Sequence, residues 1–159
     1  MIKTYFRPKT LDEALNLLTD TTKHLKPLGG GTRISREQAG EFGVVDLQDT
    51  GLDNVASRGQ RLAAGAAVRL EILLDHPDVH PEIKRAIRID VSENLRNMAT
   101  LGGWLMSSDG RSILSTVLLA LDTTLTWVPG QARVRLGNWL PVRAEEPPGV
   151  LMTELEWWL

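Results

Sequence analysis

Along this 159-residue chain, short runs of alternating apolar residues give way to short runs at helical spacing and back again. Ile2–Phe6 fits a strand that Pro8 breaks. Thr10 followed by Glu13 makes a capping box, and Ala14, Leu15, Leu17 and Leu18 give the apolar stripe of a helix that ends near Thr19. Residues 24–28 read as a strand running into Gly29-Gly30-Gly31-Thr32, and residues 43–47 as another before the turn Asp49-Thr50-Gly51. Residues 55–57 and 61–64 form a hairpin around Arg58-Gly59-Gln60, and residues 66–68 continue as a strand. Helices are predicted over 70–76 and 81–89, the second opened by Pro81, which suits a first helical turn. Ile113, Leu114, Val117, Leu118 and Leu121 mark an apolar helix over 111–121, and residues 124–128, 132–136 and 150–157 close the pattern as strands. Strands and helices alternate in short pieces without long βαβ units, so the expected class is α+β. The polar turn at 49–54 is the expected boundary between a small lobe, about 1–50, and a larger one, about 51–159.

Composition narrows the chemistry by exclusion. With no cysteine, the chain can form no disulfide, thiolate metal site or thiol nucleophile, and it cannot ligate an iron–sulfur cluster through cysteine. A net charge of −2 offers no footprint for nucleic acid, and the candidate basic patch Lys84, Arg85 and Arg88 is interleaved with Glu82 and Asp90. The longest apolar run, residues 117–121, is far short of a membrane span, and the N-terminus has no signal-peptide character, so a cytoplasmic location is expected. His76 and His80 are four apart beside Asp75, Asp78 and Glu82, but Pro77 and Pro81 interrupt the segment, so no metal site is assigned. Asp46, Asp49 and Asp53 are explained as turn residues.

Two glycine segments remain as candidate sites. Gly29, Gly30 and Gly31 let the backbone turn sharply, and successive N–H groups in such a turn form an anion-binding nest, with the Thr32 hydroxyl beside it. The segment is neither a Walker loop nor a Rossmann fingerprint. Thr100 with Gly102 and Gly103 offers a second set of small, hydrogen-bonding positions. Two nests suit a ligand with two phosphates, and two empty loops satisfy the same spacing.

The segment Asn94-Leu-Arg-Asn-Met-Ala-Thr-Leu-Gly-Gly103 resembles the "IRNxATLGGN" stretch of the flavin subunits of molybdopterin dehydrogenases, the xanthine dehydrogenase and carbon monoxide dehydrogenase family. Phe6-Arg7-Pro8 with Leu11, Glu13, Ala14, Leu17 and Leu18 is similar to that family's opening. Residues 28–32 are similar to its "LAGGTDLL" loop, and Val45-Asp46-Leu47 with Leu52 to its "LVDLxxIxxL". Residues 62–66 and 118–122 resemble its "LxIGA" and "LLALDA" blocks, so six blocks in order cover nearly the whole chain.

The resemblance implies a two-lobed FAD-binding fold of the vanillyl-alcohol-oxidase (PCMH) type. It implies FAD held by Gly29, Gly30, Gly31, Thr32, Arg33, Thr100, Gly102 and Gly103, with Asp109 as a helper. The implied function is that of an FAD-binding electron-transfer subunit of a molybdenum hydroxylase-like oxidoreductase, partnered by molybdenum and iron–sulfur subunits. A homo-oligomer is left open. No catalytic acid, base or nucleophile is assigned, because the cofactor carries the redox chemistry.

Four departures from the family pattern stand out, and Trp104, Ile113 and the missing C-terminal domain among them support an alternative, a flavin-free relative serving as an interaction or assembly module. Arg33 stands where the loop usually has an acidic or small polar residue, and Trp104 where the second motif has Asn. Ile113 stands at the position of a cofactor-contacting Asp, with Asp109 and Ser112 as candidate substitutes. The family's usual C-terminal domain is expected to be absent. Trp104 is a candidate either to cover a flavin ring or to fill its place. Trp157 and Trp158 fall on opposite faces of the last strand, which leaves one of them exposed unless a partner covers it.

Overall fold

The computed structural model describes residues 1–34, 40–144 and 149–159. A small parallel sheet runs in the order β1–β3–β2, from strands β1 (Ile2–Phe6), β2 (Leu25–Leu28) and β3 (Phe42–Asp46). Helix α1 (Leu11–Leu18) crosses from β1 to β2 and closes this sheet. Thr10 Oγ1 accepts from the Glu13 N–H at 3.2 Å, and Glu13 Oε2 accepts from the Lys9 N–H at 2.8 Å. The capping box therefore forms with the carboxylate reaching one residue further back than the helix cap itself. Ala14, Val45, Leu47 and Leu52 are buried together beneath this sheet with Ala67, Val128 and Leu151.

The second sheet is antiparallel and has five strands in the order β4–β5–β8–β6–β7: β4 (Val55–Arg58), β5 (Arg61–Gly65), β6 (Thr124–Val128), β7 (Ala132–Arg135) and β8 (Leu151–Trp158). Against its apolar face pack α2 (Leu70–Asp75), α3 (Pro81–Asp90), α4 (Glu93–Arg96), α5 (Leu101–Ser107), α6 (Ile113–Ala120) and α7 (Leu136–Trp139). Leu62, Leu70, Leu73, Ile83, Ile87, Leu114, Leu118 and Leu155 are fully buried in this core. Across the other face, Glu156 joins three strands by accepting from Arg61 at 3.1 Å and Arg133 at 2.7 Å, and Arg58 grips Glu154 at 2.8 Å through both guanidinium ends. Trp157 is fully buried and Trp158 is 43% exposed, beneath the Arg61 guanidinium, as the alternation along the last strand requires.

The structure corrects the expected pattern at three places. Residues 66–68 form a tight turn and not a strand, because the Ala66 and Val68 carbonyls bond to the start of α5. The apolar helix begins at Ile113 and not at 111, because Ser112 caps it by accepting from the Ser115 N–H at 3.1 Å. Gly102 and Gly103 lie inside α5, so the second glycine segment is helical. Both histidines serve turns: His76 Nδ1 accepts from the Asp78 N–H at 3.3 Å, and His80 Nδ1 caps α3 through the Glu82 N–H at 3.2 Å.

Candidate functional site

The first glycine segment leaves the small sheet where β2 ends. Leu28 is held to the end of β3 by its carbonyl, which accepts from the Leu47 N–H at 3.0 Å. Beyond that bond the chain turns away, with Gly31 at φ +70°, where a side chain would be strained. Among the described residues, the N–H groups of Gly29, Gly30, Gly31 and Thr32 meet no protein acceptor. Free amides at successive positions are the donor set expected of an anion nest. Gly29 and Gly30 lack side chains for a different reason. A Cβ on Gly30 would overlap the Met98 carbonyl, and one on Gly29 would overlap the Thr100 hydroxyl. The two glycine segments therefore touch, backbone against backbone.

The second segment is built in the opposite way, with its amides already bonded. Leu101 N–H donates to Val68 O and Gly102 N–H to Ala66 O, each at 2.8 Å. Gly103 N–H donates to Thr100 Oγ1 at 3.3 Å, and Trp104 N–H to Thr100 O at 2.8 Å. Gly102 is needed for packing, since a Cβ there would lie 2.7 Å from the Ala66 Cβ. Thr100, Gly102 and Gly103 thus fasten α5 to the turn after β5 and leave no open amide nest.

Hollows flank the contact between the segments. One, of about 320 Å³, is bordered by Gly29, Gly30, Gly31, Thr32, Arg33, Thr100, Gly102 and Gly103, with Leu28, Leu47, Leu151 and Met152 as apolar walls. The other, of about 250 Å³, is bordered by Gly29, Gly30, Gln48, Ala67, Arg69, Asn97, Met98 and Thr100. No aspartate or glutamate borders either among the described residues. Lys26, Arg33 and Arg69 border them, and none of these cations has a carboxylate of the described residues within ion-pair distance. Lys26 lies 4.8 Å from the centre of the Phe42 ring, and Arg33 lies 5.3 Å from that of Trp104. Cations without counterions around a cleft that holds no acid favour an anionic ligand. Eight of the nine residues expected to hold the cofactor thus border one hollow.

Asp109 borders neither hollow. Its carboxylate accepts from the Arg111 guanidinium at 2.7 Å and from the Arg111 N–H at 3.0 Å. The Arg111 side chain foremost, then its N–H, and weakly the charge of Arg33, hold the Asp109 carboxyl below its ordinary range. Trp104 belongs to the main core, 9% exposed, with Nε1 donating to Ser112 Oγ at 3.3 Å. Ile113, at the position of the family's aspartate, is 40% exposed and borders neither hollow. The polar work at that helix start falls to Asp90, which sequence reasoning missed. Asp90 accepts from Ser112 Oγ at 2.8 Å, from the Ile113 N–H at 3.1 Å and from the Leu114 N–H at 2.8 Å. Lys26, Gln48 and Arg69 were also missed, because none sits in a glycine segment, and Asn97 was passed over within the second one; only the fold brings the four to the hollows.

Comparison with known proteins identifies this arrangement. Over residues 1–152 the chain matches the family described as the FAD binding domain in molybdopterin dehydrogenase. It is 30% identical over 133 residues to the uncharacterized protein YgfM of Escherichia coli (strain K12), a match covering 82% of this chain and 51% of that protein. It is 27% identical over 165 residues to the glyceraldehyde dehydrogenase medium chain of Sulfolobus acidocaldarius, covering 96% of this chain and 58% of that one. The fold is shared with a chain of quinoline 2-oxidoreductase from Pseudomonas putida 86, at a TM-score of 0.88 and 18% identity, over 99% of this chain and 59% of that one. It is shared equally with a chain of the Cu,Mo-CO dehydrogenase, at a TM-score of 0.84 and 22% identity, over 100% of this chain and 60% of that one. The chain thus spans about half the length of the E. coli protein and about three fifths of the solved chains. No helix among the described residues is long and apolar enough to cross a membrane. The family match points to FAD as the cofactor. This chain belongs to the family of FAD-binding domains of molybdopterin dehydrogenases.

Proposed function

We propose that this domain holds FAD against Gly29, Gly30, Gly31 and Thr32, within a two-lobed fold of the PCMH type, and serves as the flavin-bearing electron-transfer part of a molybdenum hydroxylase-like oxidoreductase. One observation carries the reading. The open amides of the first glycine segment border a cleft whose cations, Lys26, Arg33 and Arg69, lack counterions and whose walls carry no acid among the described residues. That donor set fits a diphosphate, and the apolar walls Leu28, Leu47 and Leu151 suit a flat ring system. Bound there, the flavin would supply the redox chemistry, passing electrons between iron–sulfur clusters of a partner subunit and an acceptor. The residues of this chain bind, orient and screen it. Thr100, Gly102 and Gly103 act by fixing α5 as the far wall, and Asp109 pairs with Arg111 and feels the charge of Arg33 only at a distance. Molybdenum and iron–sulfur subunits are the proposed partners, and the lobes divide near residues 49–54.

The test is the absorption spectrum of the purified protein followed by titration with FAD. Flavin bands that survive gel filtration, or saturable binding on addition, are expected. A colourless protein that FAD leaves unchanged at every concentration would sink the reading.

The alternative, a flavin-free interaction module, draws on a specific observation too. Trp104, where the resemblance implies Asn, is built into the core, and Ile113, where it implies Asp, is partly exposed and borders neither hollow. It predicts a stable fold that never takes up flavin, and retention of partner subunits in a pull-down by that colourless form.

A further inference from the structure

The hollow on the far side of the glycine contact has a composition of its own. Its cation, Arg69, is held beside the second glycine segment by a backbone bridge to Thr100. The nearest acid in sequence, Glu71, is turned to Arg96 at 3.1 Å, so the Arg69 guanidinium has no partner among the described carboxylates. Two amide side chains border the same space, and each is anchored at its nitrogen. Gln48 Nε2 donates to Asp46 Oδ2 at 3.3 Å, and Asn97 Nδ2 donates to Glu93 O at 3.2 Å. Their carbonyl oxygens are left to accept. A guanidinium beside two fixed acceptors and the amides of Gly29 and Gly30 recognises an anion with hydroxyl groups next to it.

We propose that this hollow is the polyol-phosphate half of the binding site, with Arg69 gripping a phosphate and Gln48 and Asn97 accepting from adjoining hydroxyls. The proposal rests on the FAD reading for the identity of the whole ligand, but the chemistry it assigns to Arg69 is that of any phosphorylated polyol. The cleft is then divided by function. The apolar hollow takes a ring, the glycine contact lies between the halves, and Arg69 secures the charged part. Nothing in the glycine motifs announces Arg69.

The experiment compares wild type, Arg69→Gln and Arg69→Lys in calorimetric titrations with FAD, riboflavin and inorganic pyrophosphate, with melting temperatures as a folding control. Arg69 is exposed, so all forms should melt alike. Arg69→Gln should weaken FAD binding roughly ten- to a hundredfold and flatten its salt dependence. Arg69→Lys should recover part of the loss. Riboflavin, which has no phosphate, should bind wild type and Arg69→Gln equally. Equal FAD affinity in wild type and Arg69→Gln would overturn the proposal and leave the FAD reading standing, and so would an equal loss for riboflavin. If wild type ignores FAD but takes pyrophosphate in an Arg69-dependent way, the hollow stands and the FAD reading falls. If neither FAD nor pyrophosphate binds, both fall.

Discussion

The two glycine segments look alike as sequence and do opposite work. Residues 29–32 present amides that no described residue uses, while the amides of residues 101–104 are all consumed, by the turn after β5 and by Thr100 itself. The first is a ligand face. The second is a strut that sets the distance between α5 and that face. A glycine run marks a close approach of backbone, and only the fate of its N–H groups says whether the approach is to a ligand or to the protein itself. Changes in the strut should move stability, and changes in the face should move affinity.

The largest expected effect lies at Trp104, in the main core. Trp104→Asn removes a nearly buried indole from the main core and breaks its bond to Ser112, and should cost about 3 kcal/mol in denaturant unfolding. Ile113→Asp adds a second carboxylate where Asp90 already accepts the Ile113 N–H, so the double mutant should be less stable still. An unchanged midpoint with a gain of flavin would break the comparison, because Trp104 would then belong to the ligand face. Next comes Gly30→Ala, which drives a methyl group into the Met98 carbonyl and should cost about 1–3 kcal/mol while separating the two segments. Both stability and FAD affinity should fall, since Gly30 belongs to the contact and to the face. A change in affinity alone would show that the contact is not structural.

A matched pair separates the roles more finely. Thr100→Ala removes the cap of α5 and should lower stability by about 1 kcal/mol. Thr32→Ala removes a hydroxyl that bonds to none of the described residues. It should leave the melting temperature unchanged and weaken FAD binding by roughly 0.5–1.5 kcal/mol. The reverse result in either variant would exchange the assignments of face and strut.

Much of this was legible before the fold was known. The capping box at Thr10, the hairpin at Gly59 and the alternation of Trp157 and Trp158 depend on neighbours a few residues apart, and such signals survive in sequence. The helical state of the second glycine segment is not legible from its spacing, because its amides are consumed by Ala66 and Val68, some thirty-five residues earlier. Those same bonds explain why residues 66–68 turn where a strand was expected. Asp90 was overlooked because it reads as one more charge on a solvated helix, and only α3 packing beside α6 brings it to the Ser112 hydroxyl and the Ile113 and Leu114 amides. Arg69 escaped for the same reason, since its neighbours Gln48 and Asn97 come from distant parts of the chain.

The smallest effect concerns the frame that carries the ligand face. Asp49, just beyond β3, accepts from Arg7 Nε at 2.9 Å and pairs with Lys9, so it ties the exit of β1 to the sheet from which the first glycine loop departs. The Arg7 hydrogen bonds foremost, then Lys9, lower its carboxyl from 3.8 to about 2. A carboxyl whose value is lowered by folding adds stability that is complete above its unfolded value and fades as pH falls through its folded one. The melting-temperature gap between wild type and Asp49→Asn should therefore be constant above about pH 5, shrink below about pH 4 and close only below about pH 2. The gap itself should be modest, because all three side chains meet solvent and salt screens them. Hydrogen exchange sharpens the point. Between pH 4 and pH 2 the amides of β1 and of residues 47–50 should lose protection in wild type and lack it already in Asp49→Asn, while Leu101 and Gly102 exchange alike in both. If the amides of α5 respond to Asp49 as strongly as those of β1 do, the face and the strut are one cooperative unit and the division drawn between them fails.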